Sequence, residues 1–282
     1  MKYELMRFRS LLLLITNPRR NLQRSPLVLV RAIEFSTSGA KLPNWVSANK
    51  FFASCDHSEA ALVAFLYYMK MLSSNTFPDK YTFPALLQAC GPISDPGLVK
   101  QVHSHITKLG PDEDLFLGNS MINAYVVCGA KCFAREPFDQ MAEKDVVSRT
   151  TLISGLVALG CYGEGVNVFK EMMMDGWTRP NAAAFASVLS ACGDLGSCDH
   201  AKCLHALLEK AGWIELDVSI RNSLTDAYTK CGSLENATKV FNDVEDSEKD
   251  LYTWTAIISG LVMMDREGMH IYFLLGWSMI LG

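Results

Sequence analysis

The segment Asn119-Ser-Met-Ile-Asn-Ala-Tyr-Val-Val-Cys-Gly129 sets the fold class, because the chain contains it twice. It recurs as Asn222-Ser-Leu-Thr-Asp-Ala-Tyr-Thr-Lys-Cys-Gly232, an offset of 103 residues. Further out, Phe83-Pro-Ala-Leu-Leu-Gln-Ala-Cys-Gly91 returns as Phe185-Ala-Ser-Val-Leu-Ser-Ala-Cys-Gly193 at an offset of 102, and His103 falls on His205 at that same offset. Thr151-Leu-Ile-Ser-Gly-Leu156 returns as Ala256-Ile-Ile-Ser-Gly-Leu261 at an offset of 105. Three separate matches at one spacing mark a duplicated block of roughly a hundred residues, the sequence signature of a repeat architecture.

Each block divides again. Segments 146–181, 182–217 and 218–250 each read as two short amphipathic helices. In the first, Leu152, Ile153 and Leu156 lie at helical spacing. Gly160 and Gly163 are expected to break the chain, after which Val166, Phe169 and Met172 form a second apolar stripe that Gly176 and Pro180 end. One such pair cannot bury its stripes alone, and stacking on neighbours closes the core. The expected fold is all-α, a right-handed α-solenoid of helix-turn-helix repeats.

Composition narrows the function classes. Hydrophobic residues make up 49% of the 282, too many for a mainly disordered chain. No apolar run reaches the ~20 residues of a membrane helix. Nine cysteines, an odd number without compact spacing, suit reduced thiols used as small core residues. Charge is uneven: residues 1–41 hold eight basic side chains against Glu4 and Glu34, a net +6, so the formal total of −4 leaves −10 for the rest. An acidic body argues against nonspecific binding of polyanions, which Lys and Arg drive through phosphate contacts.

Residues 1–41 are Arg-rich and nearly acid-free, with Leu11–Leu14 beside Asn17-Pro18-Arg19-Arg20, the composition of an organellar transit peptide. The arginine bias with modest serine points to the mitochondrion, the chloroplast being the alternative.

The repeated residues resemble those of plant organellar pentatricopeptide-repeat proteins, in particular the class that rotates P, L and S motifs. On that resemblance the array spans 45–265, divided as P-like 45–79, L 80–114, S 115–145, P 146–181, L 182–217, S 218–250 and an incomplete P-like motif from 251. The L motifs carry Phe-x-x-Leu/Val-Leu-x-Ala-Cys at 83–90 and 185–192, with His103 and His205 in their second helices. The S motifs carry Asn-x-hydrophobic, Ala-Tyr and Cys-Gly, followed by Phe138 and Phe241. Arg149 stands where the family usually has an aromatic, and the motif at 45–79 is degenerate. Residues 266–282 match no motif end, so the chain reads as truncated, without the E and DYW-type extensions common in this class.

The resemblance implies one repeat per base of single-stranded RNA, a mode of recognition by side-chain code. The fifth residue of each motif meets the base edge and the last assists it. These pairs are Asn49/Asp79, Asn119/Asp145, Thr150/Asn181 and Asn222/Asp250, with Thr255 lacking a partner. Asn/Asp implies uracil and Thr/Asn adenine, while Pro84/Asp114 and Ala186/Asp217 carry no clear code. Second-position residues sandwich the bases: Val46, Phe116, Val147, Ser219 and Tyr252. Stacking on an aromatic is worth ~1–3 kcal/mol per base, which favours Phe116 and Tyr252. The implied target reads U-x-U-A-x-U. The implied role is editing-site recognition in organellar RNA, with no cofactor, no membrane, and a deaminase or other editing factor acting in trans.

Other readings are weighed against these residues. Asn119 and Asn222 could be plain helix N-caps, where Asn is favoured. Cys192, Cys198, His200, Cys203 and His205 form the single metal-like cluster, but lack a Cys-x-x-Cys pair for tetrahedral zinc. A deaminase needs His-x-Glu with Pro-Cys-x-x-Cys, and neither occurs, so no enzyme is expected. The alternative function is a protein-binding scaffold of tetratricopeptide type, but neither its strict 34-residue period nor its Trp-x-x-Leu-Gly signature is present. An unbroken set of polar fifth positions favours RNA over a peptide ligand.

Overall fold

The structure, a computed structural model, describes residues 64, 65, 68, 71, 72, 78, 82–109, 114–213 and 217–263. The transit-peptide segment, Asn49, Asp79, Val46 and the divergent end after Met263 lie outside the described residues. The described elements are helical: α1 Thr82–Ile93, α2 Pro96–Leu109, α3 Leu115–Val127, α4 Glu136–Gln140, α5 Val146–Ala158, α6 Tyr162–Met174, α7 Ala182–Asp194, α8 Cys198–Lys210, α9 Val218–Lys230, α10 Leu234–Asn242 and α11 Leu251–Met263. A 3-10 turn at Lys131–Phe133 precedes α4. No strand occurs among the described residues, as the periodicity predicts.

The chain forms two compact units, Met1–Ala130 and Lys131–Gly282. In the first, α1, α2 and α3 pack on one another. In the second, α5, α7, α9 and α11 lie side by side, each against the next. The connecting helices α6, α8 and α10 form a second layer, each wedged between the first helix of its own pair and that of the following pair. Leu152, Ile153, Leu156, Leu189, Leu224, Ile257 and Leu261 are sealed between the layers, so the apolar stripes close only by stacking.

The turns that close α3, α5, α7 and α9 have one design. Gly160 takes φ +74 and Gly232 φ +79, left-handed values that L side chains resist. Gly160 N–H donates to Val157 O and Cys161 N–H to Leu156 O; Gly232 N–H donates to Thr229 O and Ser233 N–H to Tyr228 O. This paired closure satisfies carbonyls that a helix end leaves open. It recurs at Gly129 and Gly196. Gly163 behaves otherwise than expected: it sits inside α6 and breaks nothing, because the preceding turn already reverses the chain. A different glycine sets helix spacing. A Cβ on Gly193 would lie 3.1 Å from the Ala227 Cα, so α7 and α9 touch backbone to backbone there.

The repeated histidine and tyrosine meet. His103 Nδ1 is 3.0 Å from the Tyr125 hydroxyl, and His205 Nδ1 is 2.9 Å from that of Tyr228. Each pair ties a second helix to the first helix of the following repeat, which accounts for both recurring residue types. Burial pushes the Tyr228 hydroxyl up to about 12. Burial also lowers the His205 pKa, outweighing the opposing pull of Glu209. The unfolded chain, with a histidine pKa of about 6.5, therefore binds a proton that the folded chain resists. This contribution to stability is intact above about pH 6.5 and is lost as pH falls through that value toward the lower folded pKa. Melting at pH 7.5 and 5.5 should show a smaller pH-dependent drop in His205→Gln than in the unmodified chain. Equal drops would mean that His205 is not the group responsible.

Candidate nucleic-acid interface

The first helices place second and fifth residues one turn apart on a common face: Phe116 with Asn119, Val147 with Thr150, Ser219 with Asn222, and Tyr252 with Thr255. Phe116, Val147 and Tyr252 are 63%, 55% and 74% exposed, whereas their neighbours Leu117, Ser148 and Thr253 are buried. Three apolar side chains thus stand in water at the same helical position, where core packing gives them no role. Asn119, Thr150 and Asn222 are half-buried beside them, and Thr255 is exposed. In the second unit this face belongs to the side-by-side layer α5, α7, α9 and α11.

Among the described residues, the last residue of a repeat has a structural role that the code reading does not contain. Asp145 Oδ1 accepts the Ser148 N–H at 2.7 Å, Asn181 Oδ1 the Ala184 N–H at 2.9 Å, and Asp250 Oδ1 the Thr253 N–H at 2.8 Å. Asp114 and Asp217 cap α3 and α9 in the same way. These carboxylates and amides occupy the N-cap positions, so the alternative reading of Asn119 and Asn222 as caps does not hold. Both lie within their helices, five residues from the cap. Asp145→Ala should cost about 1 kcal/mol of stability, and Asp145→Asn, an equally good cap, almost nothing. Urea unfolding of the two variants checks this.

The fifth and last residues meet in two repeats of the second unit. Asn222 Nδ2 donates to Asp250 Oδ1 at 3.3 Å. A carboxylate only accepts, so this contact orients the amide and leaves the Asn222 carbonyl as the free acceptor. Asn222 Oδ1 is buried with no hydrogen-bond partner, and so is Asn119 Oδ1 in the first unit. An orphaned acceptor of this kind is costly and calls for a donor from elsewhere. Partial burial works to raise the Asp250 carboxyl pKa, but hydrogen bonds from the Thr253 N–H, the Thr253 hydroxyl and Asn222 outweigh it and hold the pKa below the ordinary value.

Thr150 differs. Its hydroxyl lies 2.7 Å from the Val146 carbonyl and 3.2 Å from Asn181 Oδ1, and its single proton can serve only one of them. The shorter contact is to Val146, which leaves the threonine oxygen as an acceptor and the Asn181 NH2 as a donor. Pro84 and Ala186 bring no side-chain hydrogen bond to their helices. Beside Ala186, however, the Ser187 and Ser154 hydroxyls bond across the α5–α7 contact at 2.7 Å.

Arg149, the departure from the family pattern, makes an ion pair. Its Nη2 lies 2.5 Å from Asp175 Oδ2, and Arg221, at the same place in α9, lies 2.7 Å from Glu248. In α11 the equivalent place holds Trp254, whose ring meets Phe241 edge-on at 5.0 Å. Hydrogen bonds from the Thr178 hydroxyl, then from the Thr178 and Trp177 N–H groups, with Arg149 beside them, keep the Asp175 carboxyl below its ordinary pKa. Both histidines of the metal-like cluster have other partners. His205 meets Tyr228, His200 bonds Ser197 at 2.6 Å, and burial pushes the Cys192 thiol up to about 11. The thiols of Cys128 and Cys231 instead reach the carbonyls of Cys90 and Cys192 at 3.5 Å in each case, another repeated contact.

The chain is similar to known proteins in sequence and in fold. A family model described as the PPR repeat matches residues 147–177 and 219–248. A pentatricopeptide repeat-containing protein of Arabidopsis thaliana, named chloroplastic/mitochondrial, is 36% identical over 79% of this chain and 35% of its own length. A second, named mitochondrial and putative, is 32% identical over 77% of this chain and 33% of its own length. The chain thus spans about a third of the length of these relatives. The crystal structure of the pentatricopeptide repeat protein PPR10 in complex with an 18-nucleotide psaJ RNA element superposes with a TM-score of 0.63 at 19% identity, covering 89% of this chain and 42% of that one. That likeness shows the helical-repeat fold. With the repeat model falling on two of its helix pairs and its Arabidopsis relatives aligned over three-quarters of its length, this chain belongs to the pentatricopeptide-repeat proteins.

Proposed function

We propose that the chain binds single-stranded RNA in a sequence-dependent way, as a recognition protein rather than an enzyme. The observation that carries this reading is the pair of buried, partnerless carbonyls of Asn119 and Asn222, each one turn from an outward-facing second-position residue. A uracil edge supplies the missing N–H donor, and exposed Phe116 and Tyr252 supply stacking surfaces. At Thr150/Asn181 an acceptor beside a donor suits the adenine edge, which presents an amino group and a ring nitrogen. The PPR10 complex with RNA supports the choice of ligand.

The finer reading follows the P, L and S division. The protein acts in an organelle, the mitochondrion or the chloroplast, in transcript maturation at C-to-U editing sites, with the deaminase supplied in trans. Relatives named chloroplastic or mitochondrial support the compartment. A gel shift tests the ligand: U-x-U-A-x-U should bind more tightly than a scrambled oligomer. Because the residues from 42 onward are acidic, recognition should depend on bases more than on phosphates, and affinity should fall only shallowly with salt. No preference over the scrambled sequence, or a slope like that of ten released counterions, would exclude this reading.

A further inference from the structure

We propose that Ser247 is a phosphorylation site for an acid-directed serine kinase, and that its phosphate weakens the chain's hold on RNA; the second half rests on the RNA reading above. Ser247 lies in the connection 243–250 between α10 and α11. Buried Val244 anchors this connection, and the Glu248 N–H donates to the Glu245 carbonyl at 2.9 Å, closing a turn that carries Ser247. Ser247 is exposed, and among the described residues nothing holds its hydroxyl. On the neighbouring α9, by contrast, the Ser219 hydroxyl bonds Asp217 and the Ser223 hydroxyl bonds the Ser219 carbonyl. An exposed loop tip opens locally at little cost, so it can present an extended acceptor where a packed helix cannot. Asp243, Glu245, Asp246, Glu248 and Asp250 surround Ser247 in sequence, with Lys249 as the single base from 243 to 250. A kinase groove lined by Lys and Arg matches this pattern, and one lined by carboxylates is repelled by it. In the transfer the Ser247 Oγ attacks the γ-phosphorus of ATP. The bond from that phosphorus to the bridging oxygen breaks, ADP leaves, and the hydroxyl proton goes to the kinase's base.

The phosphate adds a charge of about −1.5 to −2 at pH 7. Such a group orders a loop where it meets unpaired Arg or Lys, and is repelled beside carboxylates. Lys249 and Arg221, which reach this loop, are already paired. Lys249 Nζ lies 2.6 Å from Asp246 Oδ1 and 4.6 Å from the centre of the Phe241 ring. Arg221 Nη2 lies 2.7 Å from Glu248 Oε2. The new charge therefore stays uncompensated. From Ser247 to Asp250 the chain spans at most about 11 Å. Asp250 accepts from the Asn222 amide at 3.3 Å. The added charge thus stands roughly one Debye length, about 10 Å in 0.1 M salt, from the pair that would hold a base. A strand held there brings its own phosphodiester charge and is repelled. Asp250 itself stays in place, because its Oδ1 also accepts the Thr253 N–H and the Thr253 hydroxyl, each at 2.8 Å. The effect is one of charge, not of a broken helix cap.

The full chain is incubated with casein kinase 2 and ATP, and the modified peptide is identified by mass spectrometry. Phosphate should fall on Ser247, at a rate cut several-fold by Asp246→Asn combined with Glu248→Gln. Phosphate on other residues with none on Ser247 would overturn the site. Fluorescence anisotropy with labelled U-x-U-A-x-U then compares treated and untreated chains. In about 0.01 M salt, where the Debye length is about 30 Å, the phosphorylated chain should bind several-fold more weakly. In about 0.15 M salt, where it is about 8 Å, the difference should shrink. Ser247→Ala, treated in the same way, should bind as the untreated chain does. Equal affinities at low salt, or a loss that salt does not reduce, would overturn the control of binding by charge. If the untreated chain binds no single-stranded RNA, the RNA reading fails, while the mass spectrum still decides the site.

Discussion

Leu224→Ala should lower the stability of the stack by about 2–5 kcal/mol, read as a fall in the urea midpoint. Leu224 is completely buried on α9, which packs against α7 on one side, α11 on the other, and α10 behind. Deleting its branched end leaves a cavity that the backbone cannot fill, since α7 and α9 already touch at Gly193 and Ala227. In a repeat array each helix pair is stabilised by its neighbours, so a fault in a central helix weakens two interfaces at once. Ser223→Ala, one residue away on the outward side, should stay within about 0.5 kcal/mol of the unmodified chain. A Leu224→Ala midpoint no lower than that of Ser223→Ala would contradict the sandwiched position of α9.

Asn222→Ala should weaken binding of U-x-U-A-x-U by about 5- to 150-fold, corresponding to about 1–3 kcal/mol for a ligand donor left without its acceptor. The same substitution should not destabilise the chain, because Asn222 lies inside α9 and alanine is the better helix former. An N-cap asparagine would behave in the opposite way, losing about 1 kcal/mol of stability on replacement by alanine. Measuring both quantities on one variant therefore separates a ligand contact from a structural one. Lost stability with unchanged affinity would sink the assignment of Asn222 to the interface. Asn119→Ala, which removes the equivalent orphaned acceptor in the first unit, should repeat the result.

Much of the candidate site could be read from one dimension because it follows the helix period. The spacing of second and fifth positions puts Phe116 with Asn119 and Tyr252 with Thr255, since residues three apart share a helix face. The code reading does not contain the second task of the repeat ends. The family resemblance assigns Asp145, Asn181 and Asp250 to the base, yet each also caps the next helix. Asp or Asn before an apolar run is itself a capping signal, so this second task is legible in the sequence. Gly163 is the converse case. As a glycine it looked like a breaker, but a helix tolerates one in its first turns when the preceding residue pair already closes the turn.

By itself the sequence determined that the chain is helical, that it repeats, and where each helix turns back. Apolar period, repeat offset and turn glycines are properties of neighbouring residues, and a single helix already expresses them. Only the tertiary structure decided who meets whom between helices: His205 with Tyr228, Arg149 with Asp175, Asn222 with Asp250, and Lys230 with Asp194. The partners in these pairs stand 23, 26, 28 and 36 residues apart. Helical periodicity says which face a residue occupies, but the partner across that face depends on how closely two helices approach. At α7 and α9 that approach was set by the missing side chain of Gly193, where backbone contact brings Lys230 within reach of Asp194.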